Sequence, residues 1–281
     1  MSASDPGHIQ RPRVFGVMGH EEVVVRSLSP AMFAAAFSAC HETAYYVPLG
    51  VRDRAVRKAI RSLPRLGFSG VNVTMPFKSI AAELADSCSS EVELSGVANT
   101  LTVMPDGHIH ADATDGRGLI DALRTRSTPI SGCSVLMIGA GGVARDMSCA
   151  LAAAGASRVV IWNRSSERAE LLASLLEQRF PALGLEVFEE LPIAEPAHIV
   201  VCAVPEQSLE GLAAPLVAGR SLVVDCAYRA DRRPTNLVTA AESEGIAVIG
   251  GRELLARQGA HSYAIWFGGT PPTEVMARAV T

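Results

Sequence analysis

The stretch Cys133–Arg168, CSVLMIGAGGVARDMSCALAAAGASRVVIWNRSSER, decides the fold. Ser134–Ile138 is a short apolar run, long enough for a buried strand and too short for a helix. It ends in Gly139, Ala140, Gly141, Gly142, Val143 and Ala144, which fits the G-x-G-x-x-G/A turn. A small-residue segment from Met147 to Ala154 has helical spacing, Gly155 ends it, and Val159–Trp162 is a second apolar run. Strand, glycine turn, helix and strand make a βαβ unit. Its glycines stand where a dinucleotide pyrophosphate must approach backbone N–H groups. The glycine turn carries little weight alone, but here it has the required strand before it and helix after it. An α/β fold with a Rossmann-like nucleotide-binding sheet is the expectation, with residues 139–144 as its cofactor cradle.

The end of the second strand selects the nucleotide. Asp or Glu at that point would hold the ribose 2′-hydroxyl of NAD. This chain has Asn163, Arg164 and Ser165, with Arg168 one helical turn beyond Arg164. A guanidinium pairs bidentately with a phosphate that a carboxylate would repel. The pattern predicts NADP as cofactor; the competing explanation is a solvated arginine pair opening a helix.

Composition narrows the class. At 281 residues the chain exceeds the usual single domain, so two are expected. Apolar residues make up 48% and charged residues 19%, the balance of a well-buried globular enzyme. A net charge of −4 offers no basic field to a nucleic acid. An anionic ligand must therefore be held by a few local donors, and the expected partner is a small-molecule substrate. The six cysteines have no C-x-x-C spacing, which argues against a metal site and against a disulfide framework. Residues 1–12 lack the apolar core of a signal peptide or anchor, and no apolar run reaches membrane-spanning length. A cytoplasmic protein with no membrane partner is the expectation.

Upstream of the glycine unit, Val14–Met18 reads as a strand, and the segment RSLSP (residues 26–30) precedes a helix over Ala31–Cys40. Ser29 is placed to cap that helix, with Pro30 at its first position. Ser27 is then left over, and two hydroxyls near a helix N-terminus also suit a small carboxylate. Ala44–Val51 is a second strand and Arg52–Leu63 an amphipathic helix. In GVNVTMPFK (residues 70–78) a strand ends in polar groups, Pro76 forbids its continuation, and Lys78 opens a helix over Ser79–Asp86. A lysine in a first helical turn opposes the macrodipole, so it is better explained by function than as surface decoration. Val97–Leu101 is a further strand carrying Asn99. A hairpin through Pro105, Asp106 and Gly107 returns to Asp112–Gly116, and Arg117–Arg126 is helical.

Three strand ends therefore finish in polar clusters: Asn72, Thr74 and Lys78; Asn99 and Thr100; Thr114 and Asp115. Ligands of open α/β sheets sit at the carboxyl ends of strands. Lys78 and Asp115 meet only if their strands are neighbours. Beyond the glycine unit, Glu186–Phe188, His198–Ala203 and Leu222–Cys226 read as strands, with Tyr228 and Arg229 just past the last. Pro234–Gly245 is helical and Ile246–Ile249 a final strand. Gly250 and Gly251 break the chain before helices over Glu253–Gln258, Ala260–Phe267 and Pro272–Val280, with Gln258 and Tyr263 at a core edge.

At these residues the chain resembles the shikimate dehydrogenase family, which includes quinate and shikimate/quinate dehydrogenases. The resemblance runs from Phe15 to about Gly268. It rests on S-x-S-P (27–30), N-V-T-M-P-F-K (72–78), G-x-x-N-T (96–100), T-D-G-x-G (114–118), G-A-G-G (139–142), N-R-S (163–165), D-x-x-Y (225–228) and Q-G-A (258–260). The second and fourth, in that order, are highly specific; the glycine turn is not.

The resemblance implies a two-domain α/β protein. Residues 1–115, completed by 251–281, would form the substrate-binding catalytic domain, and residues 116–250 an NADP-binding Rossmann domain. It implies reversible hydride transfer, 3-dehydroshikimate + NADPH + H⁺ ⇌ shikimate + NADP⁺, in chorismate and aromatic amino acid biosynthesis. Lys78 and Asp115 match the catalytic pair: a lysine ammonium protonates the developing alkoxide while the aspartate holds it charged and oriented. Ser27, Ser29, Asn72, Thr74, Asn99, Tyr228 and Gln258 fall on positions that bind the substrate's carboxylate and ring hydroxyls. The family's usual His is Arg26 here, a common His-Asn is Phe33-Ala34, the Asn before Thr-Asp is Ala113, and V-V-C-A-V-P (200–205) stands where N-A-T is usual. These departures flank the pocket and leave quinate or an amino-substituted analogue open as substrate. Retention of both Lys78 and Asp115 argues against a non-catalytic metabolite-binding regulator. Monomer and homodimer both remain open.

Overall fold

The computed structural model describes residues 12–191 and 197–281. Apart from Pro12, the reading of residues 1–12 falls outside them. Among the described residues, twelve strands form two six-stranded sheets.

The first sheet contains β1 (Arg13–Gly19), β2 (Ala44–Gly50), β3 (Phe68–Val73), β4 (Ser87–Cys88), β5 (Thr100–Val103) and β6 (Ile109–Asp112), in the order β2-β1-β3-β5-β6-β4. Its helices are α1 (Glu21–Val24), α2 (Ser29–Ala39), α3 (Val56–Ser62), α4 (Lys78–Leu84) and α5 (Ser90–Ser95). β1 is parallel to both β2 and β3, while β5 runs antiparallel to β3 and to β6. The expected helix over Arg52–Leu63 is shorter and opens with a 3-10 turn at Asp53–Ala55.

After α6 (Asp115–Thr125) comes the second sheet: β7 (Ser134–Ile138), β8 (Arg158–Trp162), β9 (Gly184–Phe188), β10 (Ile199–Cys202), β11 (Leu222–Asp225) and β12 (Ala247–Ile249). All its pairings are parallel, in the order β12-β11-β10-β7-β8-β9. Strand order reverses at β7, which makes the carboxyl end of β7 the switch point where ligands of such sheets bind. The helices here are α7 (Gly142–Ala153), α8 (Ser166–Arg179), α9 (Ala213–Val217) and α10 (Asn236–Ser243). Val135, Leu136, Met137 and Ile138 are all buried, as expected for a parallel sheet covered on both faces.

The chain then returns to the first sheet. α11 (Gly251–Phe267) is one continuous seventeen-residue helix, followed by α12 (Thr273–Val280). The expected break between strand and helix falls at Gly250, while the helix start expected at Glu253 and the separate helices on either side of Gly259 are corrected. Gly250 is the N-cap, and a Cβ on Gly251 would collide with the Ala227 carbonyl oxygen. A Cβ on Gly259 would collide with Met32 Cε. Both glycines admit close packing; neither ends a helix. α11 buries Tyr263 and Trp266 with Phe15, Phe33, Phe37 and Met32, and Trp266 Nε1 donates to the Leu101 carbonyl at 3.2 Å.

Candidate active site

β3 brings Asn72 to its carboxyl end, where the Thr74 N–H still donates to the Met18 carbonyl of β1 at 2.8 Å. Pro76 ends the extended run, Phe77 is buried, and α4 begins at Lys78, itself only 7% exposed. The chain turns at the end of β6 so that Asp115 is the first residue of α6. Lys78 Nζ donates to Asp115 Oδ2. Residues far apart in sequence thus form one nearly buried ion pair.

Asn99 and Thr100 do not end a strand as the sequence predicts. Thr100 begins β5, and because β5 is antiparallel to β3 its first residue lies opposite Asn72. The polar cluster reaches the same sheet edge by the opposite chain direction. Asn99 Nδ2 is 2.9 Å from Asp115 Oδ1 and from Thr114 Oγ1, and 3.2 Å from Gln258 Oε1, while Asn99 Oδ1 accepts from the Thr114 N–H at 2.8 Å. One amide therefore orients the turn that carries Asp115.

The opposite wall comes from the start of α2. Ser29 is its first residue and does not cap it; the Ser27 hydroxyl accepts from the Ser29 N–H at 3.2 Å. Tyr228, beyond β11, sits against the Ser27 hydroxyl and the Leu28 backbone, which partly offset the upward push that burial gives its phenol. Ser27, Ser29, Asn72, Thr74, Lys78, Asn99, Asp115, Tyr228 and Gln258 all line one cavity of about 150 Å³. Val143 and Met147 of α7 close it from the second sheet.

Around the glycine turn, Gly139 has φ +115°, and a Cβ there would lie 2.9 Å from the Ala203 carbonyl oxygen. Gly141 is the N-cap of the twelve-residue α7, no side chain caps it, and the space where its Cβ would be is open. Ala140 and Ala144 are buried. Free N–H groups at a helix N-terminus with room in front suit a pyrophosphate. Gly142 faces Lys78, whose side chain comes within 3.1 Å of where a Cβ would be. At the end of β8, Asn163 Nδ2 donates to the Ser165 carbonyl, and Arg164 and Arg168 are exposed with no ion pair among the described residues. Of the expected cofactor residues only Val143 reaches the Lys78 cavity. Among the described residues there is no group of three His, Cys, Asp or Glu able to hold a metal, and no helix long and apolar enough to cross a membrane.

Three family models match the chain: the shikimate dehydrogenase substrate binding domain over residues 17–101, shikimate / quinate 5-dehydrogenase over 122–210, and the shikimate 5'-dehydrogenase C-terminal domain over 251–281. A shikimate dehydrogenase (NADP(+)) of Dinoroseobacter shibae is 36% identical, covering 95% of this chain and 96% of its own. The chain belongs to the shikimate dehydrogenase family. A second relative of the same description, from Rubrobacter xylanophilus, is 37% identical over 95% of this chain and 94% of its own. The shikimate 5-dehydrogenase of Thermus thermophilus, solved with NADP(H) and shikimate, superposes with a TM-score of 0.81 at 30% identity. That match covers 95% of this chain and 98% of the other.

The departures from the family's pattern have distinct places. Arg26 and Ala34 are exposed. Phe33 is fully buried and stacks on Tyr46, with centroids 4.4 Å apart and planes at 5°. Tyr46 Oη in turn donates to Asn72 Oδ1 at 2.8 Å. Phe33 thus touches the cavity through Tyr46. Ala113 is buried beside Thr114. Val204, from the 200–205 departure, packs on the glycine turn, 3.0 Å from the Gly139 Cβ position. Sequence reasoning missed Tyr46 and Ser262. The Ser262 hydroxyl joins Asn72 Nδ2 at 2.9 Å and Thr100 Oγ1 at 2.8 Å. Its signal was its position one helical turn after Gln258.

Proposed function

We propose that this protein is an NADP-dependent shikimate dehydrogenase that reversibly reduces 3-dehydroshikimate to shikimate in chorismate and aromatic amino acid biosynthesis. The observation that carries this reading is the Lys78–Asp115 pair, enclosed with seven polar side chains in one cavity whose far wall is the glycine helix. Residues 1–115 with 251–281 are assigned to substrate and residues 116–250 to cofactor. The division of strands between the two sheets supports it. All the assigned residues belong to one chain, so the site is complete in a monomer and in a homodimer alike. Six unpaired cysteines support a reducing, cytoplasmic setting.

Ser27, Ser29 and Tyr228 are assigned to the substrate carboxylate. Asn72, Thr74, Asn99 and Gln258 are assigned to the ring hydroxyls. The bound NADPH supplies the hydride. Lys78 donates a proton from Nζ to the carbonyl oxygen as it becomes an alkoxide, and regains one from solvent after product leaves. Asp115 holds Nζ in place, and Asn99 holds Asp115. Arg164 and Arg168 pair with the 2′-phosphate, while the N-terminus of α7 receives the pyrophosphate.

The test is initial rates with shikimate and quinate, each against NADP⁺ and NAD⁺. Turnover of shikimate with NADP⁺ in strong preference to the other three combinations is expected. Preference for quinate would move the substrate assignment to the Phe33 and Ala113 departures. No turnover by protein that still binds NADPH would overturn the enzymatic reading in favour of a metabolite-binding regulator.

A further inference from the structure

Asp146 is a buried carboxyl that neither the substrate assignment nor the cofactor assignment uses. It lies in the second turn of α7 and is 3% exposed. Its Oδ2 accepts from the Gly116 N–H at 2.8 Å, and Gly116 directly follows Asp115. The two helices are in close contact there. A Cβ on Gly116 would lie 2.7 Å from Ala150 Cβ, 2.9 Å from the Asp146 carbonyl oxygen and 3.1 Å from Asp146 Oδ1. Gly142, Asp146 and Ala150 are spaced i, i+4, i+8 and so share one face of α7. Gly142 meets the stem of Lys78, and the other two meet the turn of Asp115. One helix face therefore touches Lys78 itself and Gly116, the residue that follows Asp115, and that helix begins at the glycine turn.

We propose that Asp146 is a positioning residue: through the Gly116 N–H it fixes the first turn of α6, and with it the carboxylate of Asp115 that orients Lys78. This rests on the dehydrogenase reading of the same site. An anionic acceptor at the N-terminus of α6 also complements the helix dipole. Charged groups surround it on every side: Lys78 on α4, Glu91 on α5, and Asp115 and Arg117 on α6, with the Cys149 thiol on its own helix. Burial first, then the Asp115 charge, pushes the Asp146 carboxyl up to about 7, and the Gly116 N–H and Lys78 partly counter this. A second cavity, of about 310 Å³, is lined by Asp146, Glu91 and Arg117 and shares no lining residue with the substrate cavity. Ionised Asp146 is the stronger acceptor, so the Asp115 turn tightens as pH rises through neutrality.

Two measurements test this on the whole protein. In the first, Asp146→Ala and Asp146→Asn are assayed with shikimate and NADP⁺ against pH. Asp146→Ala is expected to lose about 10- to 100-fold in kcat, the scale of a misplaced catalytic group, with KM for both substrates changed less than about twofold. Asp146→Asn keeps an acceptor for the Gly116 N–H, so it restores most of that loss but lacks the wild-type rise in kcat near neutral pH. In the second, protein labelled with ¹³C′-Asp and ¹⁵N-Gly marks only the Asp106–Gly107 and Asp115–Gly116 peptide bonds. The Gly116 amide resonance should titrate with a midpoint near neutral pH in the wild type and not in Asp146→Asn.

A folded Asp146→Ala with wild-type kcat would overturn the proposal. So would an Asp146→Asn profile that keeps the neutral-pH rise, or a Gly116 amide that does not respond to pH. If Asp146→Ala fails to fold, Asp146→Asn and the amide titration decide. Wild type that does not turn over shikimate would sink the dehydrogenase reading, while the amide titration would still decide whether Asp146 governs the Asp115 turn.

Discussion

Lys78 stands in the first turn of α4, where a helix dipole disfavours a cation by roughly 0.3–1 kcal/mol. Its ion pair with Asp115, almost out of solvent, offsets that cost and aims Nζ into the substrate cavity. Lys78→Ala should lower kcat by about 10²- to 10⁴-fold, the usual worth of a positioned proton donor, while leaving the KM for shikimate nearly unchanged. Steady-state kinetics check this, and near-full turnover would remove Lys78 from the mechanism. Arg164 is exposed at the end of β8. A charge-assisted hydrogen bond is worth about 1.5–3 kcal/mol, so Arg164→Ala should raise the KM for NADP⁺ by roughly 10- to 100-fold. The same variant should leave the KM for NAD⁺ unaltered. An equal change for both cofactors would mean that Arg164 does not read the 2′-phosphate.

At the scale of elements, α7 does two jobs at once. Its N-terminus follows a turn that only glycine tolerates at residue 139, where φ is positive and the Ala203 carbonyl is close. Gly139→Ala should destabilise the fold by about 1–3 kcal/mol, the cost of a strained backbone position. Thermal unfolding should register this as a fall of several degrees, accompanied by weaker NADP⁺ binding. Unchanged stability would mean that the turn relaxes at no cost. α11 shows how packing overrides local signals. Gly251 and Gly259 look like breaks in sequence, yet the helix starts at Gly251 and runs on through Gly259; glycine stands at both because Ala227 and Met32 occupy the space that Cβ atoms there would need.

Across the whole molecule, two carboxyl groups, Glu91 on α5 and Asp146 on α7, give stability opposite dependences on pH. Hydrogen bonding to Arg117 holds Glu91 down to about 2, below its ordinary 4.5. Its contribution is complete above about 4.5 and is lost as pH falls through about 2. Asp146 is raised from its ordinary 3.8 to about 7, so its protonated form favours the folded state. That contribution is complete below about 4 and is lost as pH rises through about 7. Melting temperatures of wild type and Asp146→Asn should therefore diverge from acid to neutral pH, with the wild type losing ground. Parallel curves would show that the Asp146 carboxyl is not perturbed. The sequence by itself determined the βαβ glycine unit, the α/β class, the arginines beyond the second strand and the polar clusters of Asn72, Thr74 and Lys78 and of Thr114 and Asp115 at or just past their strand ends. All of these are local: a period, a turn chemistry or a charge pattern is complete within one or two dozen residues. Only the tertiary structure decided that Lys78 meets Asp115, that Asn99 reaches the site from the start of an antiparallel strand, and that Phe33 touches it through Tyr46. The continuity of α11, the hydrogen bonds of Ser262 and the burial of Asp146 against Gly116 belong with these. Each depends on which strands are neighbours and how closely two helices approach, and long-range packing sets both.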